Sequence, residues 1–317
     1  MFGLRFDLRH PPFSPVSFSE RYRACVDMCE WADQRGAFFI GLSEHHGSDD
    51  GYLPSPLPLA AAIGARTANA MIAVSALIAP FHDPLRLAED VAVVDLVCGG
   101  RLTLIVGAGY VPSEFEMFGV PLSERPSRVR EAVTTMRAAW SGEPFEYRGR
   151  TVTVRPTPTG SGPMILLGGA SEGSARRAAH IADGFVPSDN ACWEFYRDEC
   201  LALGKPDPGP GRTEAGGEVV ILAEDPKAAL ADLGRYFMHE TNSYARWSEE
   251  SGVPSPYRAA DDIDELMTRG QYRTVTPDEY RAELGDAAAP ILHPMVGGIP
   301  PDLAWRHLHL FEEAFLT

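Results

Sequence analysis

The stretch MIAVSALIAPFHDPLRLAEDVAVVDLVCGGRLTLIVGAG, Met71 to Gly109, decides the fold. MIAVSALIAP is a short apolar run closed by proline, the signature of a strand buried on both faces. Asp83-Pro84 then supplies an N-cap and a first-turn proline. Leu87, Val91, Val94 and Cys98 recur at helical spacing until Gly99-Gly100 stops the helix. LTLIVGAG is a second buried run. Strand, helix and strand at this length form a crossover unit, because parallel neighbours need a long connection.

The same alternation recurs in both directions. Upstream, GLRFD reads as a strand, and Ser17 with Glu20 has capping-box spacing ahead of a helix that carries Tyr22, Cys25, Val26, Cys29 and Ala32 on one face. FFIGLSEH is the next strand and LAAAIGARTA its helix. Downstream come a helix with Val129, Ala132, Val133, Met136 and Trp140 inward, a small hairpin in FEYRGRTVTV, and the strand MILLGG with its helix SEGSARRAAHIA. GFVPS with a helix near Trp193 to Leu203, the linker KPDPGPGRTEAGG, EVVILAE, and finally PILHPMVGG with DLAWRHLHLFEEAFL complete eight units. Eight units without a break in composition predict one α/β domain over residues 1–317, a (β/α)8 TIM barrel with insertions. One insertion is a long excursion before the last strand, between Met238 and Thr276. It is expected to be irregular, with Tyr244, Trp247, Tyr257 and Tyr272 serving either as a substrate lid or as packing of a surface insertion.

A formal charge of -16 excludes general affinity for nucleic acid or an anionic membrane, both of which need a basic footprint. No apolar run approaches the ~18 residues of a membrane span, and MFGLRFDLRH is too charged for a signal peptide. The 5 cysteines lack disulfide-framework spacing, which points to a reducing, cytoplasmic setting.

Chemistry is expected where barrel strands end, because their carboxyl ends converge on one face. In FFIGLSEHHGSDDGYLPSP, Phe38 to Pro56, an apolar strand stops at Glu44-His45-His46. One imidazole there suits proton transfer near neutral pH; the alternative is a pair that caps the strand end. No HExxH spacing supports a metal, and none is expected. In MILLGGASEGSARRAAH, Gly169 is followed at once by a helix with Ser171 and Ser174 in its first turn, a start that favours a phosphate on free N–H groups. In LIVGAGYVPSEFEMFGV, Pro112 stands where a dinucleotide fingerprint needs its third glycine, so NAD binding is rejected. Small residues at Gly107 to Gly109 instead suit a flat ring lying on the backbone, with Tyr110 at its edge.

Taken in this order, SEHH, the block from Ala73 to Gly119, GGASEGSARRAAHIADGF and GGIPPDLAWRHLHLFEEAFL resemble the bacterial luciferase-like flavin-dependent monooxygenases nearly end to end. The resemblance implies a TIM barrel that uses reduced FMN and oxygen on a small organic substrate, usually fed by a separate NAD(P)H:flavin reductase, and commonly a homodimer. It implies His45 as the active-site imidazole, with Val74, Ser75 and Ala76 under the flavin ring, where the family often has a non-proline cis peptide. The phosphate would fall to Ser171, Ser174 and the backbone of Gly169, Ala170 and Glu172. Ala108 stands where the luciferase α subunit carries an arginine, so either Arg176 or Arg177 substitutes, or the flavin is held weakly and arrives reduced from a separate reductase. Two other activities fit the same resemblance: an F420-dependent hydride transferase, and a non-catalytic flavin-binding partner subunit.

Overall fold

A computed structural model describes residues 1–211, 218–253, 255–284 and 289–316. Along the chain it forms β1 (Gly3–Phe6), α1 (Phe18–Gln34), β2 (Phe39–Leu42), α2 (Pro56–Arg66), β3 (Met71–Ile78), α3 (Pro84–Cys98), β4 (Leu102–Gly107), α4 (Pro112–Phe118) and α5 (Arg125–Trp140). The hairpin strands β5 (Phe145–Tyr147) and β6 (Arg150–Val152) follow, then β7 (Met164–Gly169), α6 (Glu172–Ile181), β8 (Gly184–Pro187) and α7 (Cys192–Ala202). The remainder is β9 (Val219–Leu222), α8 (Pro226–Ser251), α9 (Ile263–Thr268), β10 (Tyr272–Val275), α10 (Pro277–Glu283), β11 (Ile291–Leu292) and α11 (Pro301–Phe315). Part of the predicted linker, residues 212–217, lies outside the described residues. Among the described residues, no helix is long and apolar enough to cross a membrane.

The chain divides into two units. The first comprises Met1–Pro54, Arg66–Ala70 and Gly217–Thr317. Here β1 lies between β11 and β2, all parallel, with Gly3 opposite Ile291 on one side and Phe39 on the other. A helical layer of Phe2, Trp31, Trp305 and Phe311 rings packs at centroid distances of 5.2–6.0 Å. Arg21, fully buried on α1, donates to the carbonyls of Gly298 (2.7 Å) and Ile299 (3.0 Å), tying down the loop before α11.

The second unit comprises Ser55–Ala65 and Met71–Gly216. Its parallel strands run in the order β3, β4, β7, β8, and β5 pairs with β6 as the predicted antiparallel hairpin. The quoted stretch folds as its pattern dictates. Asp83 accepts from the N–H groups of Leu85 and Arg86 to start α3, and Gly99 ends it in the left-handed conformation that glycine adopts without strain. Leu87, Val91, Val94 and Cys98 are all buried, and the Trp140 indole donates to the Ala88 carbonyl at 3.1 Å, joining α5 to α3.

The stretch expected to be irregular differs most. Met238 to Thr276 holds the second half of the 26-residue α8, then α9 and β10. Strand β10 pairs in parallel with β9, Tyr272 opposite Val219. The helix escaped notice because its inward face carries Glu240, Thr241 and Ser243 beside Leu233, Tyr236 and Phe237, so burial is not marked by an apolar period. All 5 cysteines are buried free thiols, as their spacing predicted.

Candidate active site

In the first unit β2 ends at Leu42, so Glu44, His45 and His46 lie beyond the point where strand alternation fixes direction. The two imidazoles part company there. His46 Nε2 is hydrogen-bonded to Glu44 Oε1 at 2.8 Å. His45 donates its backbone N–H to Leu53 O (3.2 Å) and stacks its ring on Trp247 of α8, with centroids 4.1 Å apart and planes at 24°. Tyr52 meets the same imidazole edge-on at 4.9 Å. Of the aromatics placed in a lid or surface insertion, Trp247 and Tyr244 are therefore neighbours of His45, whereas Tyr257 stacks on Tyr244 and Tyr272 on Phe237.

Behind them stands a residue that motif reading missed. The fully buried Arg9 guanidinium lies 4.7 Å from the Tyr52 ring, 4.8 Å from Tyr244 and 4.9 Å from Trp247. Its Nη1 donates to Asp50 Oδ2 at 2.6 Å, and the His239 ring reaches the same oxygen at 2.7 Å. Burial pushes the Asp50 carboxyl up, but the His239 hydrogen bond and the Arg9 charge outweigh it and hold Asp50 below the usual carboxylate range. The signal was present in RFDLR: Arg5, Asp7 and Arg9 put three charges at alternate positions through the end of an otherwise apolar strand.

Asp7 leads to a second cluster. Polar atoms of Asp7, Glu240 and His293 lie within 4.8 Å of one another, all buried. Each carboxylate is oriented through its other oxygen: Arg9 N–H donates to Asp7 Oδ1 (3.1 Å) and the Tyr272 hydroxyl to Glu240 Oε2 (2.6 Å), with Thr241 donating to that hydroxyl at 3.0 Å. Among the described residues Asp7 Oδ2 and Glu240 Oε1 have no hydrogen-bond partner, although Arg9 Nε is 3.5 Å from the former. Burial, then the Asp7 charge, pushes Glu240 up to about 7, and burial drives the His293 imidazole well below its ordinary value. Counting carboxylates against guanidiniums, Asp7, Asp50 and Glu240 face Arg5 and Arg9, an excess of one negative charge. One proton on Glu240 cancels it, whereas a divalent cation would overshoot to a buried positive charge. His307 and His309, two apart on α11, also do not converge: His307 is buried and accepts from Leu222 N–H at 2.8 Å, and His309 is exposed against Trp305.

The other predicted positions lie in the second unit. Val74 is buried in β3 and the Ser75–Ala76 peptide is cis. Gly107 closes β4 directly against Ala76: a Cβ on Gly107 would sit 2.8 Å from the Ala76 Cβ, so glycine is what lets buried Gly107 pack under that side chain. Tyr110 follows, half-buried, after Gly109, whose carbonyl accepts from Arg125 Nη1 at 3.1 Å. Gly169 ends β7 so close to Ser174 that any side chain there would collide with it. Ser171 Oγ accepts from the Ser174 N–H (3.2 Å) and Ser174 Oγ from the Ser171 N–H (3.1 Å), a reciprocal cap. Ala170, Glu172 and Gly173 are exposed, and the N–H groups of Glu172 and Gly173 belong to the first turn, which has no intrahelical acceptor. These residues fit a phosphate. The arginine expected to assist does not stand free: Arg176 binds Glu172 (2.8 Å) and Glu199 (2.6 Å), and Arg177 is half-buried beside Arg130.

A family model described as luciferase-like monooxygenase matches residues 4–293. The chain belongs to this family. It is 26% identical over 265 residues to the 4-hydroxyprotoasukamycin monooxygenase of Streptomyces nodosus subsp. asukaensis, covering 77% of this chain and 71% of that one. It is 30% identical over 210 residues to the F420-dependent glucose-6-phosphate dehydrogenase of Nocardia farcinica, covering 62% and 61% respectively. Across its first curated relatives the match spans 38% to 71% of their length. The crystal structure of monooxygenase RslO1 from Streptomyces bottropensis superposes with a TM-score of 0.74 at 26% identity, covering 99% of this chain and 98% of that one. The luciferase-like family thus includes relatives named for both oxygenation and F420-dependent dehydrogenation.

Proposed function

We propose that this protein is an FMN-dependent monooxygenase, a single (β/α)8 domain that oxygenates a small organic substrate. The observation that carries the reading is the start of α6, where Gly169 brings Ser174 onto the strand end and leaves the N–H groups of Glu172 and Gly173 facing solvent. Ser171 and Ser174 would hold the phosphate together with those N–H groups. Ala76, packed on Gly107 and flanked by Val74, Ser75 and Tyr110, would take the flat ring. Bound reduced flavin supplies the two electrons needed to activate oxygen. His45 would hold or move a proton at a ring nitrogen, and Tyr52 and Trp247 restrict water around it. A relative in Acinetobacter baylyi, 27% identical over 130 residues, is named as the oxygenase component of a flavin-dependent trigonelline monooxygenase; this supports a separate NAD(P)H:flavin reductase as partner. A cytoplasmic homodimer completes the proposal.

The F420-dependent relatives favour the competing assignment, hydride transfer without oxygen. Titration with reduced FMN and reduced F420, read by thermal shift and by oxygen consumption, separates the two. The expected result is saturable FMN binding with flavin-dependent oxygen uptake. Binding of F420 alone, or of neither, overturns the proposal. Replacing His45 with Ala should leave the FMN Kd within about threefold while slowing the reaction of bound reduced flavin with oxygen by about 10²-fold or more, the range of a lost general acid–base group.

A further inference from the structure

Helix α8 presents His239, Glu240, Ser243, Tyr244 and Trp247 at spacings of one face, and this face meets the end of β2 at three points. His239 binds Asp50 at 2.7 Å, the Tyr244 and Tyr52 hydroxyls are 2.9 Å apart, and Trp247 lies flat on His45 at 4.1 Å. The indole is itself restrained. Arg9 sits 4.9 Å from its ring, and Arg9 cannot drift because Asp50 holds Nη1 at 2.6 Å. Tyr244 adds an edge contact to Trp247 at 5.4 Å.

We propose that Trp247 is a positioning residue for His45: the indole fixes the plane of the imidazole, and the Asp50–Arg9 pair fixes the indole. This rests on the reading of His45 as the working imidazole. An imidazole on a loop beyond a strand end retains rotation about its side-chain bonds, and a proton-transfer group must be held in a narrow range of directions to be effective. Trp247 meets the broad face of the ring, which blocks rotation about the terminal torsion while leaving the ring edge, where both nitrogens lie, uncovered by the indole. Tyr52 at 87° to the imidazole supplies the second wall. A residue that merely filled space would not need to be parallel to its neighbour, nor to be held by a cation that is itself anchored.

The test uses full-length protein loaded with FMN and compares wild type, Trp247→Phe, Trp247→Ala and His45→Ala. His45 ring-proton resonances, assigned by their loss in His45→Ala, should carry the upfield ring-current displacement of a stacked indole. They should lose it in Trp247→Ala and retain most of it in Trp247→Phe. The rate constant for reoxidation of bound reduced FMN by oxygen should fall about 10²-fold in Trp247→Ala, the effect of a misplaced reacting group. It should stay within about fivefold in Trp247→Phe, with FMN Kd within about threefold throughout. If His45→Ala is impaired but Trp247→Ala keeps the wild-type rate, the positioning role falls and the reading of His45 stands. If Trp247→Phe is as slow as Trp247→Ala despite a wild-type Tm, stacking is not the cause and the proposal also falls. If His45→Ala keeps the wild-type rate, the reading itself fails and takes the inference with it.

Discussion

Replacing Glu240 with Gln removes the one carboxylate that has no compensating guanidinium in its cluster. Glu240 is fully buried, Tyr272 donates to its Oε2 at 2.6 Å, and Asp7 shares its surroundings. Burial and the Asp7 charge raise its pKa from 4.5 to about 7. The folded protein therefore holds a proton that the unfolded chain releases between about pH 4.5 and 7. Stability is greatest below that window and falls as pH rises through it. The difference of about 2.5 pH units, at ~1.4 kcal/mol each, amounts to about 3 kcal/mol once Glu240 is ionised in both states. Gln keeps an acceptor for Tyr272 and never ionises, so its stability lacks this term. In paired thermal scans the variant should match wild type at pH 4.5 and exceed it by about 6 °C at pH 8, taking ~2 °C per kcal/mol for a chain of this size. Titrations outside this cluster are common to both proteins and cancel. Infrared spectra at pH 5.5 should also show a protonated-carboxyl band in wild type that Glu240→Gln lacks. A Tm difference that does not change with pH would refute the charge count, as would the absence of that band.

Three further outcomes follow from single contacts. Gly169→Ala should push Ser174 out of its reciprocal cap, costing about 1 kcal/mol at the start of α6 and raising the FMN Kd about tenfold by titration, with His45-dependent steps unchanged. Arg21→Met strands the carbonyls of Gly298 and Ile299 in the interior, and should cost about 3–5 kcal/mol by thermal scan, with partial recovery in Arg21→Lys. Asp33 accepts from the N–H groups of Ala68 (2.9 Å), Asn69 (2.8 Å) and Ala70 (2.7 Å); burial pushes its carboxyl up, but these bonds outweigh it and hold the pKa below the ordinary value. Its contribution is therefore present above the ordinary Asp pKa and lost as pH falls below it. Asp33→Ala should lower Tm at pH 7, and the deficit should shrink as pH falls below the ordinary Asp pKa.

Much of the fold was legible because periodicity and caps are local. Asp83-Pro84 and Gly99 bounded α3, Ser17 and Glu20 closed the cap of α1, and Ser171 with Ser174 marked the start of α6. The reciprocal cap after Gly169 could be read for the same reason, since all its parts lie within six residues. Helix α8 and strand β10 were not legible, because the inward face of α8 is polar and aromatic and hides the period that burial normally imprints.

What the sequence determined by itself was the kind of chain: parallel strands, their crossover helices, a serine-capped helix start directly after a strand and an imidazole just past a strand end. The tertiary structure alone decided which imidazole stands among aromatics and what surrounds it. His45 meets Trp247 and Tyr52 meets Tyr244 across about two hundred residues of chain, and Asp7 meets His293 across still more. RFDLR announced charges at alternate positions but not their partners. A local pattern records which way a side chain points; which distant side chain it then meets depends on the path of the whole chain between them.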